Sequence, residues 1–68
     1  MTKTRGQREG ALDGYVWATL GKPFDVVSPF NRALALRDVI ESDRADYADA
    51  FGIAYRAECA AMRMEGRP

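Results

Sequence analysis

The side chains of this chain that stand out as candidates for chemistry are its carboxylates and a single thiol. Between Asp25 and Asp49 stand Asp25, Asp38, Glu41, Asp43, Asp46 and Asp49 against Arg32, Arg37 and Arg44, so this middle stretch is net acidic. Asp43, Asp46 and Asp49 recur at intervals of three, which sets them along one ridge of a helix. Asp38 and Glu41 stand just before that ridge and extend it into a patch. Such a patch has two uses. Paired carboxylates do acid–base work inside a concave pocket, but 68 residues supply little wall for one. The other use is contact with a basic partner, for example the nucleic-acid channel of another protein.

The remaining candidates exclude more than they offer. There is no histidine, so neither a Ser-His-Asp nor a Cys-His arrangement exists. Cys59 is the only cysteine, which rules out an internal disulfide and a structural zinc site. It reads as a small buried hydrophobe. Gly6, Gly10 and Gly14 fall at intervals of four but match neither a phosphate-binding loop nor a dinucleotide fingerprint. The chain is therefore expected to be no enzyme, with no cofactor and no metal.

Charge and aromatic content sharpen the partner expectation. Ten basic residues balance ten acidic ones, and the isoelectric point is near 6.2. Nucleic-acid-binding domains are typically far more basic, so direct binding by Lys3, Arg5 and Arg8 is disfavoured. Tyr15, Trp17, Phe24, Phe30, Tyr47, Phe51 and Tyr55 are seven large rings in a small chain, and most of them must form the core. Trp17 lies off the Leu12–Val16–Leu20 line, and Tyr55 lies off the Tyr47–Phe51–Ala54 line. Both are candidate interface anchors. The expected partner-binding set is Asp38, Glu41, Asp43, Asp46, Asp49, Trp17 and Tyr55, facing a protein with a basic surface.

The elements that must position these residues are all helical. Residues 1–10 read as a flexible basic arm, and residues 11–68 as a single helical domain. A first helix runs from about Gln7 or Ala11 to Leu20, with Leu12, Tyr15, Val16 and Thr19–Leu20 gathered on one face. Gly21 suits the left-handed cap that ends it, and Pro23 forbids a restart. Ser28 as N-cap and Pro29 at the first helical position open a second helix running to about Glu41. Ser42 and Asp43 mark a break, and a third helix spans Asp43 or Arg44 to Met64. Gly52 inside that helix implies a packing reason. The fold class is all-α: a small three-helix bundle with a long C-terminal helix.

Ala50, Ala54, Ala57 and Ala61 recur at spacings of four, three and four along the third helix. Small residues so placed admit another helix closely. Either the first two helices pack on this stripe, or it is the seam of a homodimer. No apolar run approaches the ~20 residues of a membrane span, and Met1–Arg5 lacks the apolar region of a signal peptide. The expected location is the cytoplasm, that of the host cell if the chain is phage-encoded, with no membrane partner.

In its size, its lack of catalytic residues and its acidic patch from Asp38 to Asp49, the chain resembles the small inhibitor proteins encoded by phages and mobile elements. The anti-CRISPR proteins are the best populated group among them. The resemblance implies a stoichiometric binder that occupies a basic nucleic-acid-binding surface of a multisubunit CRISPR surveillance complex. Two other classes remain: a small dimeric DNA-binding transcriptional regulator using Lys3, Arg5 and Arg8, and a phage structural or assembly adaptor.

Overall fold

A computed structural model describes residues 2–64, and they form three α-helices: α1 (Arg5–Thr19), α2 (Val27–Ala35) and α3 (Arg44–Met64). A short 3-10 turn, Glu41–Asp43, leads into α3. The all-α class with a long last helix is what the sequence predicts.

The helix limits depend on local hydrogen bonds. Thr4 and Gln7 form a capping box: the Thr4 hydroxyl oxygen accepts from the Gln7 N–H at 3.1 Å, and the Gln7 side chain accepts from the Thr4 N–H at 2.9 Å. This starts α1 at Arg5, so most of the expected flexible arm is the first turns of a helix. At the other end Gly21 adopts φ 71°, while the Gly21 and Lys22 N–H groups donate to Ala18 and Trp17.

Asp25, not Ser28, opens α2. Its carboxylate accepts from the N–H groups of Val27 at 3.1 Å and Ser28 at 3.3 Å. Hydrogen bonds from Ser28 hold the Asp25 carboxyl below its ordinary pKa. The helix therefore starts ahead of the expected cap, and Pro29 falls in the first turn, where a missing N–H costs nothing. It also ends at Ala35, well short of Glu41. Arg37 takes a left-handed conformation, φ 61°, and the Arg37 and Asp38 N–H groups close back onto Leu34 and Ala33 at 3.0 and 2.9 Å. That reversal turns Val39 inward. The expected break at Ser42–Asp43 becomes the 3-10 turn, and α3 begins at Arg44 as predicted.

The main packing is α1 against α3. A methyl carbon added to Gly10 would lie 3.0 Å from Tyr47 Cα; one on Gly14 would lie 3.1 Å from Phe51 Cα, and one on Gly6 2.7 Å from Asp43 Cβ. The sequence offset is the same at all three positions, so the two helices run parallel. Rows of fourth residues from both helices interlock. Gly6, Gly10, Gly14 and Ala18 are the buried residues of α1.

Three expectations are corrected. The face of α1 bearing Leu12, Tyr15, Val16 and Leu20 points away from the protein, because the glycines opposite let the backbones meet. The alanine stripe of α3 is not the close seam: Ala57 is exposed and Ala50, Ala54 and Ala61 are half-buried. Gly52 has no packing need either, since an added methyl would meet only the mobile end of Arg56, at 3.4 Å.

Beside the glycine seam, α3 carries an aromatic ladder at four-residue spacing. Tyr47, Phe51 and Tyr55 stack with ring centres 6.1 and 6.2 Å apart. Phe30 of α2 meets Tyr47 edge-on at 5.3 Å, and Phe24 meets Phe51 and Tyr55 edge-on at 5.6 and 5.3 Å. The Tyr47 hydroxyl donates to the Asp13 carboxylate of α1 across the seam. Burial, then that hydrogen bond, push the Tyr47 phenol well above its ordinary pKa. The Cα trace measures 37 × 27 × 14 Å. Across its thinnest direction that trace has room for about two helix layers, so the core is narrow.

Candidate partner-binding surface

Because α1 and α3 are parallel, their N-termini meet at one end of the slab, and their positive dipole ends add there. No acidic residue sits in the first turn of α1. Neighbouring elements supply the negative charge instead. The Thr4 hydroxyl donates to Asp46 at 3.1 Å, Asp43 lies against Gly6, and Arg5 stands 4.0 Å from Asp38. Glu41 accepts from Arg44 Nε and Nη2 at 2.8 and 2.6 Å. The same Arg44 guanidinium covers the Phe30 ring at 4.4 Å.

Three expected contact acids, Asp38, Asp43 and Asp46, are thus brought together around the first turn of α1. Each is half-buried and engaged within the chain. Glu41 is exposed but paired, and Asp49 is exposed farther along α3. The Lys3–Arg8 segment, expected as a separate arm, stands beside these acids. Arg8 donates back to the Lys3 carbonyl at 3.3 Å. Acid and base share one end of the molecule, and the single-sign ridge read from spacing is a mixed surface.

The expected anchors serve other contacts. Trp17 packs partly against the core, with Lys22 Nζ 4.0 Å from its ring centre. The Tyr55 hydroxyl donates to the Lys22 carbonyl at 2.5 Å, tying α3 to the end of α1, and its ring continues the aromatic ladder.

Exposed apolar anchors do exist, on residues outside the expected set. Leu36 and Ile40 stand out from the connection between α2 and α3, where the left-handed Arg37 reverses the chain. Beside them opens a groove of about 470 Å³ lined by Leu34, Ala35, Arg37, Val39, Ile40 and Glu41. Its rim is charged through Arg37 and Glu41, and its floor is apolar. The sequence signal for this surface was weak: Leu36 and Ile40 fit a continuing helical face, and nothing in residue type marks Arg37 for a left-handed turn.

Among the described residues, no group of three potential ligands is placed to hold a metal ion, and no helix is long and apolar enough to cross a membrane. Compared with protein families, curated proteins and solved structures, the chain shows no match to any of them.

Proposed function

We propose that this chain is a non-enzymatic binding protein that inhibits a larger host complex by covering a functional, nucleic-acid-binding surface. In its most specific form it is an anti-CRISPR protein acting on a multisubunit CRISPR surveillance complex. One observation carries this reading: exposed Leu36 and Ile40 stand beside Asp38 and Glu41 on a connection fixed by two backbone hydrogen bonds. An apolar knob beside acids suits a basic protein surface, where burial supplies affinity and charge supplies orientation and rate. The shallow groove is open to solvent, which suits contact with another macromolecule better than enclosure of a small substrate.

The test is binding of the purified chain to a purified surveillance complex, followed by titration calorimetry and by the complex's capture of target DNA. The wild type is expected to bind and to block DNA capture, more weakly as salt rises, since exposed charges are screened within ~10 Å at 0.1 M salt. Leu36→Asp with Ile40→Asp is expected to weaken binding more than tenfold while circular dichroism stays helical. A folded double variant that binds and inhibits at full strength would remove this surface from the mechanism. Absence of any effect of the wild type on DNA capture would remove the function.

A further inference from the structure

We infer that the outward face of α1 is a self-association surface, taken by a second copy of this chain. It is a different surface from the Leu36–Ile40 connection, and the inference does not rest on the proposed inhibitor function.

Leu12, Tyr15, Val16 and Leu20 are 58%, 52%, 37% and 62% exposed on one face of one helix. Together they leave on the order of 400 Å² of apolar surface, the size of the largest patch on a typical small protein, which is often a functional one. The helix that carries them is held rigidly, because Gly10 and Gly14 on its other face touch the α3 backbone. The face is thus preformed.

Two features select a second copy as occupant. The first is area and stability. Among the described residues, Phe30, Val39, Tyr47 and Phe51, with two alanines, are the buried hydrophobics. A core that small leaves a chain of this length marginal alone. The apolar cover must then be present whenever the chain is, a condition that a second copy always meets. Two such faces give ~800 Å² of apolar contact before any polar rim is added. With a rim, the total passes the ~1,000 Å² that specific interfaces require. The second feature is symmetry. Leu12, Val16 and Leu20 are spaced by four on either side of Val16. An antiparallel crossing about Val16 sets Leu12 of each copy against Leu20 of the other, which is the self-complementary pattern of a two-fold interface. Zero net charge removes long-range repulsion between copies.

The full chain should be examined by sedimentation equilibrium from micromolar to millimolar concentration, with melting followed across the same range. The wild type is expected to sediment at twice its chain mass in the upper range, and its Tm to rise with concentration. Val16→Glu is expected to weaken association at least tenfold and make Tm independent of concentration. The milder Leu20→Gln should show the same trend if Val16→Glu fails to fold. A wild type that is monomeric at every concentration overturns the inference. So does a dimer unmoved by the folded variants, or one broken instead by Ile53→Glu beside the alanine stripe of α3.

Discussion

Two stripes of small residues run along helices of this protein, and they meet different fates. On α1, Gly10 and Gly14 lie directly on the α3 backbone and Gly6 on Asp43, and all three are buried, as is Ala18 beyond them. On α3, Ala50, Ala54, Ala57 and Ala61 have nearly the same spacing, yet Ala57 is exposed and the others are only half-buried. The difference lies in what each stripe opposes. The glycines meet the backbone ridge of Tyr47 and Phe51, whose rings turn aside to stack with each other and with Phe30. That arrangement leaves main chain open to main chain, and only glycine fits it. An alanine stripe with no such ridge before it is merely a smooth surface. Small spacing permits close approach, but the large residues opposite decide whether it happens.

The most direct way to break the comparison is a single methyl group. Gly10→Ala or Gly14→Ala forces the α3 backbone away from α1 and should cost about 3 kcal/mol or more, comparable to the whole stability of a small domain. Thermal melting by circular dichroism should show largely unfolded variants; wild-type melting would mean the helices are not in backbone contact. Next in size is Tyr47→Phe, which removes the hydrogen bond across the seam at a cost of about 1 kcal/mol. It should also flatten the alkaline limb of stability. Tyrosine ionises near its ordinary value of 10.0 once unfolded, whereas folded Tyr47 resists ionisation. Wild-type stability therefore holds below pH 10 and falls as pH rises beyond it. Denaturant midpoints between pH 8 and 11 should show a shallower fall in the variant.

Gly52→Ala sharpens the contrast from the other side. This glycine touches no backbone across a seam, so the change should gain about 0.5–1 kcal/mol of helix preference, read as a higher denaturant midpoint. A loss would reveal a contact at Gly52 like those of the α1 glycines. Ala57→Leu should have the smallest effect, within about 0.5 kcal/mol, because the position faces solvent. A loss of several times that would place another helix on the alanine stripe.

Much of the fold was legible in local chemistry. The Ser42–Asp43 punctuation places the start of α3, and Gly21 marks the end of α1. What hydropathy misread was α1 itself, since it takes apolar residues as the inward face. Glycine carries no apolar signal, so a glycine face cannot outvote Leu12, Val16 and Leu20 on that scale. The information was present in another form: small residues at every fourth position from Gly6 to Ala18, and the capping pair Thr4 and Gln7 that begins the helix early enough to use them. The candidate surface was less legible. Spacing does place Asp38, Asp43 and Asp46 near one another, but the turn at Arg37 that exposes Leu36 and Ile40 depends on contacts made by Val39 and Ala33 in the core. No neighbouring residue type announces it.

The parallel run of α1 and α3 also dictates when the molecule can assemble. Antiparallel neighbours can zip from a short turn, but these two helices are separated in sequence by the whole of α2 and both its connections. The entropy of closing that long loop must be spent before the first glycine reaches its carbonyl ridge. Folding should therefore lag behind that of small bundles built from helical hairpins, whose contacts are local. The slow encounter should be the docking of α1 on α3. During synthesis α1 emerges before α3, with its glycine face bare, and that face is not covered until the residues around Phe51 have followed.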